Sequence, residues 1–197
     1  MTTDKGDSPT KQLFDSLRRL YQQAQLLLLD SDRLMGGKGW EPMNSQAPAE
    51  FSYSVNTPHK WFARYAARFY LPQPATGEGA AIPSVRCIPF VSTHFASDDD
   101  TEVDEPMVSA GYLLFIEKLT PEQARRSFGS GYWICKSGFW GKAILDQEGL
   151  RQWEHPAKWI QHSQCTRTFR VPLYNITSSE ALKGLVIDRL VSAMPSD

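Results

Sequence analysis

Basic and aromatic side chains stand close together in one segment, His59–Tyr70, and their spacing suits the binding of an anion. Basic residues recur there at every fourth position, and aromatic residues follow one position later. On a helix, residues four apart share a face, so the two sets would form adjacent stripes. Positive and stacking groups side by side bind nucleotides, small anionic ligands or single-stranded nucleic acid. The candidate ligand-binding residues are therefore Lys60, Trp61, Arg64, Tyr65 and Arg68.

The same segment also fits a core helix whose basic edge pairs with acidic residues elsewhere in the chain. The net charge of the protein is −1, but acids dominate from Glu78 to Glu105 and bases from Lys118 to Arg170. Attraction between these regions within one fold explains the distribution without a ligand. Because the chain is not basic overall, this core interpretation is favoured, and double-stranded nucleic acid is not an expected partner.

Cys135 and His94 are the candidate catalytic residues, because a thiol and an imidazole can act together as nucleophile and base. Cys135 lies in a predicted strand beside Lys136, and His94 is one of four histidines. Such a pair must meet in space, which spacing along the chain does not establish. The alternative for Cys135 is a small buried apolar residue.

The sequence lacks the patterns that would indicate a cofactor or a metal. Gly141-Lys142 is followed by Ala143 rather than the Ser or Thr of a phosphate-binding loop. His155, His162 and Cys165 could supply three zinc ligands, but no fourth ligand stands at a paired spacing. The acidic run before Glu105 lacks the glycine and glutamate of a calcium-binding loop. We therefore expect neither cofactor nor metal.

The compartment is predicted from the cysteines and from the absence of apolar segments. Three widely spaced cysteines, Cys87, Cys135 and Cys165, do not form a disulfide framework, and they favour a reducing environment. The polar start, Met1–Thr10, does not resemble a secretory signal. No apolar run approaches the roughly 18–20 residues of a membrane helix. The expectation is a cytoplasmic protein without a membrane partner.

The patterning predicts a single α+β domain over residues 1–197, with an antiparallel sheet of about five or six strands, flanking helices, a long N-terminal helix and a C-terminal helix. Residues 1–8 are expected to be disordered. The predicted helices are Pro9–Met35, Pro58–Tyr70, a short one after Thr120, turns within Gly149–Gln161, and one capped by Thr177 that runs to Met194. The predicted strands are Phe51–Val55, Val85–Phe95, Met107–Ile116, Tyr132–Lys136, Phe139–Ile144 and Thr168–Tyr174.

The N-terminal helix carries the clearest functional pattern. Its apolar positions alternate between spacings of four and three from Leu13 to Leu34, interrupted only by Ser31, which is the pattern of a seam that packs against another helix. The four leucines 26–29 widen the apolar surface, so it needs a second covering element. That element is either the C-terminal helix or a second copy of the chain, and we expect a homo-oligomer. The predicted function is a non-enzymatic binding or protein-interaction domain for a protein or small anionic ligand; the alternative is a small enzyme acting on an organic or nucleotide substrate.

Overall fold

In the computed structural model of this chain, the described residues are 8–43, 65–74, 83–95, 105–128, 144–145, 150–154 and 163–195. Several predicted features lie outside these ranges. They are residues 1–7, the tip of the acidic hairpin, the strands Phe51–Val55 and Tyr132–Lys136, and the candidate residues Lys60, Trp61, Arg64 and Cys135.

The described residues form one antiparallel sheet of seven strands. The strands are β1 (Trp40–Pro42), β2 (Tyr65–Pro72), β3 (Val85–His94), β4 (Met107–Leu119), β5 (Ile144–Leu145), β6 (Arg151–Glu154) and β7 (Ser163–Pro172). Their order is β1-β2-β3-β4-β7-β6-β5, and every neighbouring pair is antiparallel. The predicted α+β class with an antiparallel sheet is confirmed; the short strands β1 and β5 raise the number of strands above the five or six expected.

In the described ranges, three helices accompany the sheet. Helix α1 spans Pro9–Gly36 and begins as predicted: Ser8 Oγ accepts a hydrogen bond from Lys11 N at 3.3 Å, and Pro9 occupies the first turn. Helix α2 (Pro121–Phe128) begins with reciprocal hydrogen bonds between Thr120 and Gln123, of 2.8 and 3.2 Å.

The C-terminal helix, named α3 here, joins an α-helical Ser179–Leu182, a π-helical Lys183–Ile187 and an α-helical Asp188–Ala193. It is capped by Ser178, one residue later than predicted. A 3-10 turn, Leu173–Asn175, precedes it, so the strand predicted to reach Tyr174 ends at Pro172. No helix of the described part is long and apolar enough to cross a membrane.

The two faces of the sheet belong to two apolar clusters. On one face, here called the helix face, α1 and α3 pack against the sheet through residues such as Leu28, Met35, Val186 and Leu190. On the opposite face, Phe69, Phe90 and Phe115 form a second cluster that includes Ala124 of α2. Because both faces of the sheet are covered, β3 and the first part of β4 are buried at nearly every position.

Two helix predictions were wrong. Residues 65–70 were predicted to end a helix, but they form β2, which pairs with β3 in the register Tyr65↔His94 to Phe69↔Phe90. Residues 151–154 were predicted to lie in helical turns, but they form β6 beside β7. In both places the ladder hydrogen bonds and the burial of alternate side chains against neighbouring strands outweigh the local pattern.

Candidate functional site

The apolar seam of α1 is fully buried only along its C-terminal part, whereas Leu17 and Leu20 are half-buried and Leu13 is exposed. Ala24, Leu27 and Ser31 are buried against the sheet and α3. The same stripe continues towards the N-terminus, but residues 9–22, here called the arm, contain no buried residue. Leu13 is 67% exposed there and Phe14 55%. The arm thus presents the face that elsewhere forms the core.

At its inner end the arm makes an aromatic contact beside the end of β3. The ring of Tyr21 meets the ring of Phe95 edge-on, with centroids 5.3 Å apart. Phe95 follows directly after β3. Helix α1 has 28 residues, which corresponds to about 42 Å, and its fully buried residues begin only at Ala24.

A groove of about 860 Å³ lies beside the C-terminal half of α1. Its walls come from Leu26 and Leu27 of α1 and from Ile176 and Leu182 near the start of α3. Tyr174, in the 3-10 turn that precedes α3, completes the wall. Leu26 and Tyr174 are 65% and 66% exposed. An apolar concavity with an exposed aromatic ring at its edge has the composition of a protein-binding surface.

The charged groups at the groove are mainly acidic. Asp30 lines the groove. Partial burial of Asp30 opposes its ionisation, but hydrogen bonds from Ser179 and Arg33 outweigh burial and lower the pKa of this carboxyl below its usual value. The pKa of Glu180 is also lowered, mainly by its own backbone N–H and by the Ser178 hydroxyl. Both carboxyls are therefore ionised at neutral pH.

The two described members of the predicted ligand-binding set are not brought together. Arg68 lies on the helix face of β2, where its guanidinium donates to Asp32 of α1 at 2.8 Å. Tyr65 is buried on the opposite face, with its ring centroid 6.0 Å from that of His94. Beside the ion pair, burial and the Asp32 carboxylate raise the pKa of Tyr70 well above its usual value. Arg68 thus joins β2 to α1, which the helix interpretation did not predict.

His94 belongs to a buried polar row on the face of the sheet opposite α1. Ser92, Ser109 and Arg170 are neighbours on consecutive strands β3, β4 and β7, and His94 lies two residues beyond Ser92. Burial and the positive charge of Arg170 lower the pKa of His94 to about 3, so the imidazole is neutral at physiological pH. Within the described part of the chain, the buried hydroxyls of Ser92 and Thr168 make no hydrogen bond.

Neither the polar row nor the groove was predicted from the sequence. The polar row had a weak signal, because Ser92, Thr93 and His94 interrupt the apolar residues of the predicted strand Val85–Phe95. The groove had none, since its walls come from two helices and a connecting turn. Cys87 and Cys165 are buried and unbridged, and no cluster of His, Cys, Asp or Glu suited to a metal occurs among the residues described.

A comparison with protein-family models found no match, and comparisons with curated proteins and with solved structures found no similar protein. The arm and the groove are therefore interpreted from their own chemistry.

Proposed function

We propose that this protein is a non-enzymatic protein-interaction domain that binds its partner through the arm and the groove of α1. The observation that carries the proposal is the exposure of Leu13 and Phe14 on a helix whose apolar stripe is buried from Ala24 onwards. Isolated exposed apolar residues are ordinary on protein surfaces. An exposed apolar stripe that is continuous with a buried one indicates a binding surface instead. Helices with such a stripe are stabilised mainly by packing of the stripe, and only in part by helix propensity.

The groove supports the same function. It offers an apolar surface next to the arm, and Tyr174 supplies the kind of exposed ring that dominates binding energy at protein interfaces. The two unbridged cysteines, Cys87 and Cys165, support the cytoplasm as the compartment in which this domain works.

The test is a quantitative affinity purification from cells that make the protein, with the tag at its C-terminus. We expect wild type to retain a defined set of proteins, including untagged copies of itself, and the Leu13→Asp/Leu17→Asp variant to lose them. Leu29→Asp is the matched control, because Leu29 is 50% exposed on another face of the same helix. If all three retain the same proteins while circular dichroism shows equal helix content, the arm is not a binding surface.

The second candidate function is that of a small enzyme or small-ligand binder, and the polar row favours it. Buried hydroxyls without hydrogen bonds are uncommon in proteins, and Ser92 and Thr168 would regain hydrogen bonds from a small polar ligand. Native mass spectrometry of the purified protein tests this directly. A bound small molecule that disappears in Ser92→Ala would support it, whereas a mass equal to that of the bare chain in every preparation would argue against it.

A further inference from the structure

The arm and the groove are complementary in chemistry, and both belong to helix α1. The arm offers the apolar residues Leu13, Leu17 and Leu20 on one stripe, of which Leu13 is exposed and Leu17 and Leu20 are half-buried. The groove offers apolar walls that include Leu26 and Leu27. We propose that the groove of one copy is occupied by the arm of a second copy, so that two chains form a symmetric dimer with antiparallel α1 helices. This inference rests on the proposed interaction function and names its partner.

The charges of the two surfaces are opposite. The arm carries three bases, Lys11, Arg18 and Arg19, against the single acid Asp15. The groove is lined by the Asp30 carboxylate, and two further acids adjoin its lining residues: Glu105 precedes Pro106, and Glu180 follows closely after Ser178. Arg33 is the base beside Asp30. The arm is apolar with basic residues, and the groove is apolar with acidic residues around it. This charge complementarity favours the arm of a second copy over an acidic peptide as the occupant of the groove.

In a symmetric dimer, each of the two arms contacts the groove of the other chain. The arm precedes the groove residues on the same helix, so antiparallel pairing of two α1 helices brings each arm to the other chain's groove. Such an isologous contact uses the same surface on both copies and leaves neither arm uncovered. The arm has 14 residues, about 21 Å of helix, which is more than the roughly 12 Å that residues 23–30 of the partner helix occupy along the groove, so the arm is long enough to cover them.

The first part of the test is the mass in solution. Size exclusion with light scattering should give twice the 22.3 kDa of one chain for wild type and for Leu29→Asp at micromolar concentrations. Leu13→Asp and Leu17→Asp should give the mass of one chain, with unchanged helix content by circular dichroism. A concentration of about 100 µM lies well above the dissociation constants of ordinary specific dimers. If wild type still has the mass of one chain at that concentration, the inference is wrong.

The second part reverses the charges. Arg18→Asp/Arg19→Asp should weaken the dimer, and Asp30→Lys/Glu180→Lys should weaken it as well, each by about tenfold or more in the dissociation constant. All four substitutions in one chain should return it to within about threefold of wild type, because the opposed charges are then exchanged. If the quadruple variant is weaker than either double variant, the arm does not lie in the groove.

The two proposals fail in different ways. Wild type could be a monomer that captures other proteins, and the Leu13→Asp/Leu17→Asp variant could fail to capture them. In that case a second copy is excluded as the occupant of the groove, and the interaction function stands. If these substitutions change neither the mass nor the captured proteins, both proposals are wrong.

Discussion

Replacing Gly111 by alanine tests how closely the two central strands approach each other. Gly111 of β4 is the register partner of Phe90 in β3 and of Thr168 in β7. A Cβ atom at this position would overlap the carbonyl oxygen of Arg167 and lie 2.8 Å from the Cα of Thr168. These are backbone atoms of a paired strand, so the clash is relieved only if β4 and β7 separate.

The expected cost follows from this geometry. Overpacking a well-packed interior costs about 1–3 kcal/mol, and a clash with backbone on a central strand belongs at the upper end or beyond. In a chain of 197 residues, 1 kcal/mol shifts the melting temperature by roughly 2–4 °C. Gly111→Ala should therefore lower the melting temperature by about 6–12 °C in a calorimetric scan.

Gly184 provides the matched control for the same chemical change. It lies in α3, and an added Cβ would meet nothing within 4 Å. Alanine is favoured over glycine in a helix by about 1 kcal/mol, so Gly184→Ala should leave the melting temperature unchanged or raise it by a few degrees. If Gly111→Ala melts within about 2 °C of wild type, the close approach of β4 and β7 is not a feature of the folded protein.

Two further predictions concern the ionisable groups of the sheet. The Arg68–Asp32 ion pair has side chains only 12% and 17% exposed, so Arg68→Met should leave a half-buried carboxylate unpaired and cost about 2–4 kcal/mol in urea unfolding. The exposed pair Arg126–Glu122 is the comparison, and Arg126→Ala should lower the free energy of unfolding by less than about 1 kcal/mol. If the two variants lose the same free energy of unfolding, the Arg68–Asp32 pair does not stabilise the contact between β2 and α1. His94, with a pKa of about 3, stays neutral in the folded state while the unfolded chain takes up a proton below about pH 6.5. The free energy of unfolding should therefore fall as the pH drops, by about 2 kcal/mol at pH 5 relative to pH 7 from this group alone. His94→Gln should remove that part of the pH dependence. If the free energy of unfolding of the variant changes with pH as steeply as that of wild type, His94 is not buried as a neutral group.

Elements with local end signals could be predicted from the sequence. Helix α1 begins at Ser8-Pro9 and α2 at the Thr120 and Gln123 pair, where the capping hydrogen bonds involve residues close in sequence. The strands β3 and β4 could be predicted because both segments are rich in Val, Ile, Phe and Tyr. These signals act within a few residues, so they are visible before the chain folds.

Strand β2 could not be predicted because its spacing fits both kinds of structure. Tyr65 and Phe69 are four residues apart, which places them on one face of a helix and also on one face of a strand, since four is an even number. The sequence of this segment satisfies either periodicity. Pairing with β1 and β3, which lie elsewhere in the chain, decides between them.

The sequence by itself determined that α1 carries an apolar seam from Leu13 to Leu34, interrupted only by Ser31, because the spacing of residues on a helix places them on one stripe wherever the helix lies. Only the tertiary structure decided where that seam is covered. The division between buried Ala24 and exposed Leu13 depends on where the sheet and α3 end, and the walls of the groove come from residues 26–30, 106 and 173–182. Burial is a property of packing between segments distant in sequence, and no local pattern contains it.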